Sequence, residues 1–329
     1  MMSRDNGGQF DQRAKLRWRE SLLSWYDRNR RPLPWRSDRD PYRVWISEIM
    51  LQQTRVSAVL EHYRRFLQRF PTVQKLAASR EESVLAAWSG LGYYRRARMM
   101  HAAAKAIVKQ HRGKFPGSLA ELRALPGVGR YTAAAIASIA FNVPEAVVDG
   151  NVERVLERAC GGGLAEKDFW ETAQALLCRT RPGDFNQAMM ELGATVCLPR
   201  QPRCSRCPVF NLCATRGTLE APRKTVPQKR KEICYAFDRR NGSIFLVQRA
   251  KNASLMPGMW ELPEIAGSDA EGAASLSLRH SITVTDYQVR VMRGPAGKAR
   301  EGRWVKKRSV ARLPLTGLTR KILREVRVI

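Results

Sequence analysis

Four cysteines set the tightest constraint on this chain. Cys197, Cys204, Cys207 and Cys213 are spaced C-x6-C-x2-C-x5-C, all within 17 residues. Thiolates this close in sequence close around one metal centre without help from distant segments. An all-sulfur donor set suits an iron–sulfur cube or a structural zinc. Cys160, Cys178 and Cys234 are scattered and read as ordinary thiols. A chain of 329 residues with seven cysteines, opening on the polar stretch MMSRDNGGQFDQR, does not read as a disulfide framework. With no apolar signal core at its start, it is expected in the cytoplasm.

The cysteine loop lies in a strongly basic chain. Lys plus Arg number 58 against 30 for Asp plus Glu, a net charge of +28. Self-repulsion on that scale points to a polyanionic partner, with nucleic acid first; a solubilising surface is the bland alternative. No long apolar run and no basic amphipathic anchor points to a membrane.

Helical periodicity runs almost unbroken from Phe10 to Cys213, through segments such as LRWRESLLSWYDRN, VWISEIMLQQT and RRARMMHAAAKAIVKQH. Short punctuators (RRPLPW, GLGYY, LPGVGR, NVPE) separate them. Beyond Cys213 the character changes. Nine Lys or Arg and two acids lie between 197 and 232, and alternating segments follow: ICYAFDRR, SIFLVQRA and DYQVRVMR. Asn241-Gly242 signals a hairpin. These signals predict a mainly α domain over 1–215 that includes the cysteine loop 197–213, a basic linker over 216–231, and a small α+β domain over 232–329 closed by the helix LTRKILREVRVI.

Two motifs carry chemistry. LPGVGRYTAAAI (125–136) reads as helix, tight turn, helix. Gly127 and Gly129 would let backbone amides approach a phosphate at the start of the second helix, although a plain turn between core helices reads the same way. Such a grip positions DNA and reads no bases. Twenty residues on, Asp149 in VVDGNVERV precedes a helix. It is a natural N-cap, or a carboxylate aimed at a substrate.

In this order, the hairpin, the Asp and the cysteine cluster resemble the endonuclease III superfamily of base-excision DNA glycosylases. SEIMLQQT (47–54), GLGYYRRAR (90–98), VDGNV (148–152) and FNQAMMELGA (185–194) are similar to its adenine DNA glycosylase branch, closely over about 18–213 and loosely beyond. The resemblance implies a helix-hairpin-helix glycosylase domain with a [4Fe–4S] cluster on the four cysteines. It implies a monomer acting on duplex DNA at an adenine mispair, in the cytoplasm at the nucleoid and with no membrane partner. Bifunctional members carry a lysine nucleophile directly after GVGR. Here Tyr131 stands there, and a phenol forms no Schiff base, which implies a monofunctional enzyme that uses water.

By the same resemblance, Glu48 is the general acid that protonates the departing adenine and then activates water. Its neighbours in WISEIMLQQ are apolar enough to raise a carboxyl pKa. Asp149 stabilises the oxocarbenium-like transition state, while Asn151 and Tyr131 orient Glu48 and the sugar or water. Arg31, Trp35, Arg36, Leu51 and Gln187 surround the extrahelical adenine, and Gln53 and Tyr93 wedge into the stack. The second domain resembles a Nudix fold that reads 8-oxoguanine. Its hydrolase pattern G-x5-E-x7-R-E-x2-E-E is absent, so no nucleotide hydrolysis is expected. In the lesion-reading stretch RHSITVTDY (279–287), Thr283 falls at the family's serine and Val284 at its histidine, which implies altered recognition of the lesion. Arg200, Arg203 and Arg206 of the cysteine loop would face DNA phosphates. The competing readings are a bifunctional endonuclease III-like enzyme, a non-enzymatic metal-tied DNA-binding module, and an electron carrier.

Overall fold

The computed structural model describes residues 10–218, 229–266, 274–282, 285–295 and 302–329. Eleven α-helices fill the first of these stretches: α1 (Gln12–Asn29), α2 (Pro41–Leu51), α3 (Val56–Arg69), α4 (Val73–Ala77), α5 (Glu81–Trp88), α6 (Arg95–Gln110), α7 (Leu119–Ala124), α8 (Arg130–Phe141), α9 (Gly150–Cys160), α10 (Glu166–Leu176) and α11 (Pro182–Thr195). The all-α reading of this region holds. No described helix is long and apolar enough to cross a membrane.

Packing divides the chain along lines that differ from continuous sequence boundaries. One compact unit is Met1–Tyr63, Thr72–Gln74 and Ala103–Arg223; the other is Arg64–Pro71, Lys75–Ala102 and Lys224–Ile329. A helical stretch of the first 215 residues thus groups with the C-terminal strands. Specific polar bonds tie it there. The Ser89 hydroxyl and the Tyr94 phenol both donate to the Leu315 carbonyl (2.9 and 3.1 Å), and Arg320 Nε donates to Ser89 Oγ at 2.8 Å. Ser89, Tyr94 and Leu315 are buried, and their polar groups leave water only because a partner is supplied.

In the first unit, local chemistry places each helix end that the site uses. Asp40 caps α2, its side chain accepting from Tyr42 N at 2.8 Å, and Pro41 occupies the first turn, where its missing N–H leaves no bond unmade. Asp149 caps α9. The turn before α8 needs Gly127 for its positive φ of 72°. Gly129 has an ordinary φ of −85°, and a Cβ there would meet nothing within 4 Å. Neither backbone nor packing therefore demands glycine at 129, and the space before it is open. α8 has no side-chain cap and no acidic residue in its first turn. Its run of small residues lies buried and lets neighbours come close: a Cβ on Gly183 of α11 would sit 2.7 Å from the Ser138 carbonyl oxygen. The core of this unit gathers Trp18, Leu22 and Tyr26 of α1 against Leu156, Phe185, Ala188 and Leu192.

The second unit carries the β structure. β1 (Lys229–Phe237), β2 (Arg239–Arg240), β3 (Ser243–Gln248), β4 (Trp260–Glu261), β5 (Glu264–Ile265), β6 (Leu276–Ile282), β7 (Thr285–Arg293) and β8 (Gly302–Lys306) are followed by α12 (Lys307–Val310) and α13 (Gly317–Glu325). They form two sheets, β5-β1-β7-β6 and β2-β3-β4 with β8 added to β3; β1 and β7 pair in parallel. The predicted Asn-Gly turn joins β2 to β3, with φ of 48° at Asn241 and 70° at Gly242. Ile244, Leu246, Val289 and Val291 point into a core shared with Leu318, Ile322 and Leu323 of α13. This matches the expected α+β domain. Residues 279–282 and 285–287 belong to antiparallel β6 and β7, which pair from Leu276–Val291 to Ile282–Thr285. Thr283 and Val284 lie outside the described residues.

The two glycines give contrasting tests. Gly183→Ala should lower unfolding free energy by about 1–3 kcal/mol through overpacking. Gly129→Ala should change it by less than about 1 kcal/mol. Urea denaturation of both variants checks the pair.

Candidate active site

A cavity of about 530 Å³ opens in the first unit. It is lined by the end of α2, the 3-10 turn Pro34–Arg36, Tyr131, the Asp149–Asn151 segment and α11. Ten of the residues singled out in the sequence meet there: Arg31, Trp35, Arg36, Glu48, Leu51, Gln53, Tyr131, Asp149, Asn151 and Gln187. Gly127 and Gly129 lie apart in the hairpin before α8. Tyr93 belongs to the other compact unit. It is half exposed, with φ of 47°, and the Arg96 guanidinium lies 5.5 Å from its ring centre.

Glu48 is a buried acid facing this space. It is 5% exposed in a helix whose other residues from Val44 to Met50 are also buried. The Tyr131 hydroxyl donates to its Oε2 at 2.6 Å and also lies 3.5 Å from Met190 Sδ. Burial raises the Glu48 pKa most; the Tyr131 bond opposes it, the Asp149 charge adds to it, and Arg36 opposes it. The outcome is a carboxyl pushed up to about 7. Tyr131 is held far above its usual pKa by burial and by Glu48, so it remains a donor.

Asp149 is the N-cap of α9 and also lines the cavity. Its Oδ1 caps α9, accepting from Asn151 N (3.0 Å) and Val152 N (2.8 Å), and its Oδ2 accepts from Asn151 Nδ2 at 2.9 Å. Three donors fix this carboxylate at the cavity wall. Asn151 is oriented in turn by Arg154, whose Nη2 donates to Asn151 Oδ1 (2.9 Å) and to the Gly193 carbonyl (2.7 Å). A Cβ on Gly193 would lie 2.6 Å from Asn151 Cβ, so glycine at this place lets α11 approach the start of α9.

Glu191 was not singled out in the sequence. It lies within FNQAMMELGA, is 1% exposed, and binds Arg31 and Arg36 at 2.7 and 2.8 Å. Burial works against its charge, but the two arginines win and its pKa falls. A signal was present: a lone acid inside an apolar helix must find cations once buried. Gln52 was also missed. It bonds Thr132 Oγ1 at 3.2 Å and lines the same space.

The four cysteines line a second, smaller concavity with Trp18, Val155, Arg158 and Gly217. Arg158 Nη1 approaches Cys197 Sγ at 3.3 Å and donates to the Leu198 carbonyl at 2.7 Å. Arg154 Nε donates to the Cys197 carbonyl at 2.8 Å. A Cβ on Gly217 would sit 2.8 Å from Cys204 Sγ. Burial and the neighbouring sulfurs push the Cys207 thiol up to about 12. Four sulfurs lining one concavity are a donor set that fits a soft, positively charged centre. As they stand, no group of three or more His, Cys, Asp or Glu among the described residues is set to hold a metal ion. Arg200, Arg203 and Arg206 are exposed around this loop.

A helical domain with a hairpin and a buried acid matches a known family. Residues 46–176 match the family model described as HhH-GPD superfamily base excision DNA repair protein. An adenine DNA glycosylase of Mus musculus is 50% identical over 224 residues, 62% of this chain and 44% of that protein. One from Schizosaccharomyces pombe is 34% identical over 319 residues, covering 76% of this chain and 69% of that protein. A solved thermostable thymine-DNA glycosylase superposes with a TM-score of 0.59 at 30% identity, over 63% of this chain and 98% of that one. The chain belongs to the adenine DNA glycosylase family of the HhH-GPD superfamily. It spans less than half the length of the mouse relative it matches.

Glu48 leaves a thermodynamic signature that requires no substrate. Its folded-state pKa lies above the ordinary 4.5, so its stabilising contribution is complete below about 4.5 and is lost as pH rises through about 7. Glu48→Gln removes this dependence. Relative to the unaltered protein, the variant should gain on the order of 2–3 kcal/mol between pH 4.5 and 8. Denaturation of both proteins across that range measures the difference.

Proposed function

We propose that this protein is a monofunctional adenine DNA glycosylase of base excision repair. The observation that carries this reading is a buried Glu48 bonded by Tyr131 and a triply bonded Asp149 facing one cavity, with a phenol where lyases of the superfamily carry an amine. Glu48 donates its proton to the adenine ring as the C1′–N9 bond breaks, and the bonding electrons leave with the base. Positive charge grows on the sugar, where the fixed carboxylate of Asp149 stabilises it. Water then attacks C1′ and gives its proton to the now ionised Glu48. Tyr131 holds the acid in place and forms no covalent link. Adenine specificity is carried over from the family; Arg31, Trp35, Arg36, Leu51 and Gln187 stand around the space the base would fill.

Duplex DNA is the partner this reading requires, with one monomer engaging one lesion at the nucleoid. The open space before Gly129 and the uncapped start of α8 suit a backbone phosphate. Gln53 and Tyr93 are assigned to the wedge, and Thr283 to the base opposite adenine, on resemblance alone. The four cysteines would hold a [4Fe–4S] cluster. When bound, the cluster supplies a rigid anchor for the loop that carries Arg200, Arg203 and Arg206 toward phosphates.

Duplexes with adenine opposite 8-oxoguanine, guanine or cytosine test the substrate. Excision should favour the first two and leave strands intact until base or heat is applied. Direct nicking would instead support the bifunctional reading. Glu48→Gln and Asp149→Asn should each slow single-turnover excision by about 10²-fold or more with DNA affinity largely kept; near-normal rates would remove these residues from the mechanism.

Anaerobically purified protein should be brown and carry iron, and Cys204→Ser should lose both colour and iron. A colourless, zinc-loaded and fully active protein would overturn the cluster assignment.

A further inference from the structure

The cavity contains a conflict of charge. Glu48 must keep its proton to act as an acid, yet Arg31 and Arg36 line the same space. A guanidinium beside a carboxyl ordinarily strips the proton by favouring the anion. The geometry on α11 removes the conflict. Glu191 Oε1 accepts from the backbone N (3.2 Å) and Nε (2.7 Å) of Arg31, and Oε2 accepts from Arg31 Nη2 (2.8 Å) and Arg36 Nη2 (2.8 Å). Arg36 Nη1 donates to the Arg31 carbonyl at 3.2 Å, and its guanidinium lies 5.5 Å from the Tyr26 ring centre. The carboxylate side chain is 1% exposed and that of Arg31 37%, so the gripped edge is sealed and the outer edge of Arg31 faces the opening.

We propose that Glu191 is a positioning residue: by gripping Arg31 and Arg36 together, it holds both guanidiniums off the Glu48 carboxyl and leaves the outer edge of Arg31 for the base. This rests on the reading of Glu48 as the general acid. Three charged or titratable groups act on Glu48 directly: Tyr131 from α8, Asp149 from the start of α9, and Arg36 from the 3-10 turn, whose pull is the weakest. Arg31 and Glu191 share the cavity. With the grip released, Arg36 is free to turn toward Glu48 and hold it as an anion. Tyr131 and Asp149 are untouched by that change, so a shift in Glu48 reports on the arginines.

Glu191→Gln keeps the side-chain shape and removes its charge. The single-turnover rate of adenine excision should lose its high-pH limb earlier than the unaltered protein, by about one pH unit, an extra loss of roughly tenfold at alkaline pH. Adding Arg36→Met should return the limb toward its original position. An unmoved limb in Glu191→Gln, or no return in the double variant, overturns the proposal. If Glu191→Gln does not fold, Glu191→Asp decides, because the shorter acid cannot span both guanidiniums; its limb should move the same way by less, and an unmoved limb overturns the grip.

A readout free of catalysis separates this from the functional reading. The pH midpoint of the stability difference between the protein and its Glu48→Gln variant should fall when Glu191→Gln is introduced into both. An unchanged midpoint overturns the proposal. Absence of adenine excision by the unaltered protein would count against the proposed function and leave this midpoint as the deciding measurement.

Discussion

The hydrogen bond from Tyr131 to Glu48 is the contact on which the site depends. At 2.6 Å it joins the first turn of α8, just past the hairpin, to the buried face of α2. Burial makes ionisation of Glu48 costly, and the phenol limits that cost without abolishing it. A stronger donor set would leave a permanent carboxylate, and an unbonded carboxyl would turn freely in the cavity. Hairpin and acid are therefore set by one bond: whatever seats the hairpin also aims the carboxyl.

Helix α9 carries a second coupling. Its N-cap is Asp149, and farther along the same helix Arg154 and Arg158 reach the cysteine loop. Arg154 alone touches Asn151, the Gly193 carbonyl and the Cys197 carbonyl. The cysteine loop and the site carboxylate thus share a rigid element, although they face different concavities. Glu191 supplies a third constraint from α11 by gripping two arginines that would otherwise compete for Glu48. Each of the three devices is a buried polar group with fixed partners, which is how a low-dielectric site keeps its charges in one arrangement.

Much of this was legible in the chain. The helical period marked α1–α3 and α5–α9, Asn241-Gly242 marked the hairpin between β2 and β3, and residues of SEIMLQQT, VDGNV and FNQAMMELGA converge on one cavity. Asp149 read first as a cap and only by resemblance as a functional carboxylate, since both need a helix start, and it caps α9 while facing the cavity. Glu191 escaped notice because its partners lie about 160 residues upstream, and periodicity reports burial without naming a partner across the fold. The grouping of helical residues 64–71 and 75–102 with the C-terminal strands was equally hidden, since the Ser89, Tyr94 and Arg320 bonds to distant groups leave no local pattern.

By itself, then, the sequence determined the residue types and their spacing: four sulfurs within one loop, a glycine with positive φ before α8, a capping acid at 149 and an acid among apolar neighbours at 48. These are local properties, set by backbone sterics and by donor atoms that follow one another along the chain. Only the tertiary structure decided protonation and partnership. Whether Glu48 holds a proton, and whether two arginines are free or already bound, depends on desolvation and on charges a few ångströms away in space, and those distances exist only once α2, α8, α9 and α11 have packed.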